Sequence, residues 1–246
     1  MKFSVVKVRL SAKSIYVFFV FVAQAFRPGK KVFLSKKNTI LKIKKITGIV
    51  LAGGKSSRMG TEKGLVIFKG KPLIEYSLDV LKNSCDEIII SSNSESYDAF
   101  GFPVLKDEFP DSGPMGGIYT CLKASKNEIN IVVSCDMPLV DAKFLDKLLT
   151  FSDDFAAVVP WHEKEFFEPL CAVYNKNLLA VFKDFIDKMI FRIPDLLKTV
   201  NTKFLKTGKE NGIDPLIFYN INTLMQLEEL SRMVDTANEK ENEKPA

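Results

Sequence analysis

A chain of 246 residues, 46% of them hydrophobic, is long enough to bury one sizeable core and too short for two typical domains. Its formal charge of +5 is unevenly placed: residues 1–45 hold twelve Lys or Arg and no acid, whereas the remainder carries 23 cations against 30 acids. A net-acidic body excludes a nucleic-acid-binding surface on the folded part, and four cysteines with no CxxC spacing (Cys85, Cys121, Cys135 and Cys171) read as core thiols of a reducing cytoplasm.

The N-terminus opens with "MKFSVVKVRLSAK", "SIYVFFVFVA" and an A-x-A site before Phe26, the outline of a secretory signal. The apolar run is shorter than the ~20 residues of a membrane span. Residues 1–45 are therefore expected to lie outside the domain, as an upstream extension with a misassigned start, a signal or anchor, or an ordered addition. "KKVFLSKKNTILKIKK" (30–45) reads as a basic linker.

From residue 46, β-branched runs alternate with amphipathic stretches, which predicts an α/β domain over 46–234 with a mainly parallel sheet. "ITGIVLA" is the first strand. "PLIEYSLDVLKN" is a helix with Leu73, Ile74, Ser77, Leu78 and Leu81 on one face, Pro72 suiting its first turn. "EIIISS" and "FPVLKD" are strands, "GGIYTCLKAS" a helix opened by glycines, "NIVVSCD" the most apolar strand and "DAKFLDKLLTF" its following helix. "FAAVVP" and "PLCAVY" are further strands; "NLLAVFKDFIDKMI", "IPDLLKTV" and "TLMQLEELSRMV" are helical, the last preceded by "FYNIN". The polar "DTANEKENEKPA" (235–246) is expected to be a disordered tail.

Ligands of such sheets sit beyond the carboxyl ends of strands, where strand order reverses. After the first strand comes "AGGKSSRMGTEKG". It is not a Walker A loop, because the residue five before Gly54 is Ile49, and it is not a G-x-G-x-x-G fingerprint, because Gly53 and Gly54 are adjacent. What remains is Leu51-Ala52-Gly53-Gly54, small residues that let backbone N–H groups approach an anion or a base, followed by Arg58 and Lys63, which can neutralise a triphosphate. Asp136, after "IVVSC", is placed to hold Mg²⁺ or else to cap a helix starting near Leu139. Asp107, after "PVLK", is a weaker case of the same kind. The N-terminus of the "GPMGGIYTCL" helix suits an anion or simply a packed helix.

In this order and spacing, "GIVLAGGKSSRMGTEKGL", "GKPLIEYSLDVL", "GPMGGIYTCL", "SCDMP", "EPLCAVY" and "NINT" resemble the molybdenum cofactor guanylyltransferases, the MobA-like nucleotidyltransferases. The resemblance covers about 46–234. It implies a Rossmann-like three-layer α/β/α domain that joins the GMP part of GTP to the terminal phosphate of molybdopterin, with release of pyrophosphate. It further implies that Leu51, Ala52, Gly53 and Gly54 meet the guanosine, that Lys63 meets the triphosphate, and that Asp107 touches the nucleotide. Asp136 would bind Mg²⁺ and substrate, and Arg58 falls at the family's signature arginine. Implied partners are GTP and molybdopterin, with molybdopterin-handling proteins and apo-molybdoenzymes beyond them, in the cytoplasm and without nucleic acid or membrane. Two departures stand out: Ser91 replaces a usual asparagine, with Asn93 two places later, and Glu168 stands before Pro169 where the family often has histidine.

The chemistry suits these residues. A phosphate monoester has a second pKa of about 6 and needs no general base, in keeping with a single histidine, His162, that has no evident Asp or Ser partner in the sequence and reads as structural or as a pterin contact. The related cytidylyltransferases tend to carry "LAAG" where this chain has "LAGG", which favours GTP over CTP. Other readings of the same residues are a cytidylyl- or sugar-phosphate nucleotidyltransferase, a non-catalytic nucleotide-binding protein that delivers cofactor, and, from residues 1–25 alone, a membrane-anchored interaction protein.

Overall fold

The computed structural model describes residues 44–53, 62–162 and 166–242, the last few of these as backbone only. The expectations for the N-terminal extension therefore lie outside the described residues, as do those for Gly54 and Arg58.

Among the described residues ten strands and six helices form in the order β1 (Ile46–Leu51), β2 (Ile67–Phe68), β3 (Lys71–Pro72), α1 (Leu73–Ser84), β4 (Glu87–Ser91), β5 (Val104–Leu105), α2 (Pro114–Ala124), β6 (Ile129–Ser134), α3 (Ala142–Leu149), β7 (Ala157–His162), β8 (Phe166–Phe167), β9 (Cys171–Asn175), α4 (Leu179–Asp187), α5 (Ile193–Leu197), β10 (Thr202–Lys206) and α6 (Leu224–Asn242). The main sheet has the order β10-β7-β9-β6-β1-β4-β5, with β8 paired to β7. Strands β6, β1, β4 and β5 run parallel; β9 is antiparallel to both β6 and β7, and β10 is parallel to β7.

β1 and β6 are buried at every residue, as expected of central parallel strands covered on both faces. Alternate side chains feed two cores. Ile46, Val50, Ile131 and Val133 pack with Ile74, Leu78 and Leu81 of α1 and Phe144, Leu145 and Leu148 of α3. Ile49, Leu51 and Val132 pack on the other side with Met115, Ile118 and Leu122 of α2, Phe182 of α4 and Leu196 of α5. This is the expected three-layer α/β/α arrangement. After β1 the chain builds outward through β4 and β5 on one side and then crosses to β6 on the other, so the strand order reverses beside β1. The crevice rule points to the residues following β1 and β6.

Several elements differ from the sequence reading. β5 is only two residues long. α2 starts at Pro114, so Gly116 and Gly117 lie inside its first turn and are buried. Lys69 and Gly70 both have positive φ and make the two-residue turn of the β2–β3 hairpin. The supposed tail at 235 is helical up to Asn242, because α6 runs on from Leu224. Leu230 of α6 closes a small third core with Val66, Phe68, Leu73 and Ile221. Among the described residues no helix is long and apolar enough to cross a membrane.

Candidate active site

The ends of β1 and β6 are bound together: Cys135 N–H donates to Leu51 O at 3.0 Å, and Ala52 N–H donates to Ser91 O of β4 at 2.9 Å. Leu51 and Ala52 are consequently buried, while Gly53 is exposed at the crevice. Beyond β6 the backbone turns sharply, Met137 N–H returning to Ser134 O, which leaves Asp136 at the strand's carboxyl end. The alternative of a helix cap is answered by Asp141, whose carboxylate accepts from Phe144 N–H and caps α3.

Lys63 lies in a 3-10 turn, Lys63–Leu65, and its ammonium donates to Asp136 Oδ2 and, at 2.5 Å, to Asn222 Oδ1. The turn is seated on Tyr97, which is wholly buried and whose hydroxyl accepts from Gly64 N–H at 3.3 Å. Asp136 itself is 8% exposed, and its second oxygen, Oδ1, is buried without a hydrogen-bond partner. A buried carboxylate oxygen without a hydrogen-bond partner is costly unless something compensates it. Ile221 N–H donates to the backbone oxygen of Asp136 at 3.0 Å, so the segment before α6 returns to this point. Asn222 thus joins the candidate site, a residue that the sequence reading did not single out, although "NINT" was among the motifs carrying the resemblance.

Asp107 follows β5, beside the end of β4 in the same sheet. Ser91 Oγ donates to its Oδ1 at 3.3 Å, and its own N–H donates to Asn93 Oδ1 at 3.0 Å. Burial pushes the Asp107 carboxyl up, and the Ser91 bond opposes this. Ser91 and Asn93 are thus both engaged by Asp107. Gly117 of α2 faces the same spot: a Cβ there would lie 2.5 Å from Ser91 Oγ and 3.3 Å from Asp107 Oδ1. The glycines of α2 therefore serve a close approach within the fold rather than an open helix end.

His162, for which the sequence offers no evident Asp or Ser partner, is held instead by Thr207 and Glu168. Its Nδ1 lies 2.7 Å from Thr207 Oγ1 and its Nε2 3.2 Å from Glu168 Oε1, and its ring meets Phe218 edge-on at 4.9 Å between centroids. His162 ends β7 and these partners come from the segments after β8 and β10, which sequence distance conceals. Burial, reinforced by the Asp136 charge, pushes the Glu168 carboxyl up to about 7, and burial lowers the His162 imidazole. Both shifts disfavour the charged forms of the pair.

A raised carboxyl destabilises the folded protein once it ionises. The Glu168 contribution is intact below its unfolded value and is lost as pH climbs through about 7. Glu168→Gln, measured by thermal melting without divalent metal, is expected to match wild type near pH 4 and to exceed it in stability by about 2 kcal/mol at pH 8. An unchanged difference across that range would show that Glu168 is not held in this way.

A model of the MobA-like NTP transferase domain matches residues 48–195. The chain belongs to the MobA-like NTP transferase family. It is 33% identical over 186 residues to a Flavobacterium johnsoniae protein named "Probable molybdenum cofactor guanylyltransferase", covering 76% of this chain and 96% of that one. A Clostridium perfringens protein of the same name is 36% identical over 197 residues, covering 76% and 97%. The crystal structure of molybdopterin-guanine dinucleotide biosynthesis protein A from Archaeoglobus fulgidus superposes with a TM-score of 0.66 at 25% identity, covering 77% of this chain and 99% of that one. The MobA-like match begins within β1 and ends in α5, so it takes in Lys63, Asp107, Asp136, His162 and Glu168, while Asn222 lies beyond it.

Proposed function

We propose that this MobA-like protein is a molybdenum cofactor guanylyltransferase, transferring GMP from GTP to the terminal phosphate of molybdopterin. The observation that carries the reading is the Lys63–Asp136 contact at the switch point of the sheet, in a chain that spans nearly the full length of relatives bearing that name.

An oxygen of the molybdopterin phosphate attacks the α-phosphorus of GTP, a P–O bond forms, the α–β anhydride breaks and pyrophosphate leaves with the electron pair. The attacking monoester is largely dianionic at neutral pH, so this chain needs no base to take its proton. What the site must supply is position and charge. Leu51, Ala52, Gly53 and Gly54 offer backbone to the guanosine, and Asp107, fixed between Ser91 and Asn93, orients the nucleotide. Lys63 brings a cation to the phosphates, and Arg58, five residues earlier in sequence, would bring a guanidinium suited to two oxygens at once.

Asp136 is the residue to hold Mg²⁺. Its buried Oδ1 has no hydrogen-bond partner and fits a hard cation, which takes one or two carboxylates and completes its shell with phosphate oxygens and water. Among the described residues there is no group of three acidic, His or Cys side chains, in keeping with Mg²⁺ rather than a metal caged by protein alone. When bound, the ion neutralises charge on the reacting phosphates. The substrates place the protein in the cytoplasm, upstream of apo-molybdoenzymes that receive the dinucleotide cofactor.

The test is pyrophosphate release by the full chain supplied with Mg²⁺, molybdopterin and either GTP or CTP. Turnover with GTP is expected; release with CTP alone would overturn the guanylyl assignment and point to cytidylyl transfer, and nucleotide binding without turnover would favour a delivery role.

A further inference from the structure

We propose that Tyr97 is a positioning residue for Lys63, its hydroxyl being the peg that sets the turn from which the phosphate-binding ammonium projects. This rests on the reading above that Lys63 meets the triphosphate.

A helical turn leaves its first N–H groups without partners inside the turn, and the side chain of the N-cap residue commonly meets one of them. In the Lys63–Leu65 turn the N-cap is Glu62, which makes no side-chain cap bond. The Gly64 N–H is met instead from 33 residues away, by the Tyr97 hydroxyl at 3.3 Å. The same hydroxyl donates to Glu62 Oε2 at 3.5 Å, so one phenol reaches the residues on both sides of Lys63. Gly64 lies directly on the ring: a Cβ there would stand 2.9 Å from the hydroxyl oxygen and 3.0 Å from Cε1. Glycine is what lets the turn come this close, and the contact is backbone against ring, with no flexible side chain between them.

The Lys63 ammonium donates to Asp136 and Asn222, and a phosphate oxygen competes for the same three donors. What then fixes the reach of the lysine is the place of its backbone, which the Gly64 contact sets. The peg is itself firmly held. Tyr97 lies in a 3-10 helix, Glu95–Phe100, wholly buried in the same core as Ala52 and Cys135, the residues that follow β1 and β6. Ser94 Oγ caps that helix by accepting from Ser96 N–H at 3.3 Å, and Gly101, with φ of 74°, closes it. Ser92 N–H ties the segment back to Leu105 O of β5 at 3.0 Å. Asn93, which accepts from Asp107 N–H, belongs to the same connection. One segment after β4 thus braces Asp107 through Asn93 and Lys63 through Tyr97, at the two ends of the proposed nucleotide path. A phenylalanine would fill the same core; the hydroxyl is the part that meets the turn.

The experiment is binding of GTP and of guanosine to the full chain by equilibrium dialysis. Tyr97→Phe is expected to weaken GTP about 10-fold and to leave guanosine unchanged, because only the phosphates feel a displaced lysine. In the Lys63→Ala background the same substitution is expected to add no further loss, the signature of a residue that acts through another. Gly64→Ala, which reaches the contact from the other side, should share this profile. Unchanged GTP affinity in Tyr97→Phe, an equal loss for GTP and guanosine, or a GTP loss that persists in full beside Lys63→Ala would each make Tyr97 a packing residue and overturn the proposal, as would wild-type GTP affinity in Lys63→Ala. Wild type that binds CTP and not GTP would reject the guanylyl reading alone, and Tyr97 is then judged by the same criteria with CTP against cytidine.

Discussion

Asp136→Asn is expected to lower the turnover of GTP by about 10²-fold or more while leaving the fold intact. The substitution keeps size and shape. It also keeps the backbone oxygen that accepts from Ile221 N–H, so the return of the C-terminal segment is preserved. What disappears is the charge: the proposed cation would lose its anionic ligand, and Lys63 loses the carboxylate it donates to. Circular dichroism and melting should stay near wild type. Normal kcat in this variant would remove Asp136 from the metal site.

Lys63→Ala is the second large effect, and it strikes stability as well as activity. Asp136 is 8% exposed, so deleting its cation strands a buried carboxylate, an event that costs up to about 3 kcal/mol in comparable pairs. The kcat/KM for GTP should fall by about 10²-fold, because charge aimed at the phosphates is lost along with the anchor for Asn222. Adding Asp136→Asn to Lys63→Ala should restore part of the melting temperature and none of the activity, since the orphaned charge is gone but the machinery is not rebuilt. An unchanged kcat/KM in Lys63→Ala would take the residue out of the site.

The central strands and their helices were legible because burial on two faces writes itself as unbroken apolar runs, "ITGIVL" and "INIVVS", and because α1 and α3 carry helical spacing. The two-residue strands β2, β3, β5 and β8 are too short to show any period, and the β2–β3 turn uses Lys69-Gly70 where the usual signal is Asn-Gly or Asp-Gly. β10, "TKFLK", is an edge strand whose lysines disguise it, as edges commonly are. Asp136 and Lys63 were readable from their positions after strand and glycine turn. Their direct contact was not, nor was the engagement of Asn222, which is 159 residues from Lys63 in sequence. Glu168 and His162 looked unrelated because the hairpin that sets them side by side has no pattern of its own, and the raised Glu168 carboxyl follows from burial that only the fold creates.

The return of Ile221 and Asn222 to the site has a consequence for synthesis. Every strand of the sheet is already made when the ribosome passes Lys206, so a nascent or prematurely terminated chain ending there has the whole sheet in hand. It lacks the backbone donor to Asp136 and the amide partner of Lys63. A chain ended before residue 221 therefore carries these strands without the two contacts that reach Asp136 and Lys63 from the C-terminal segment.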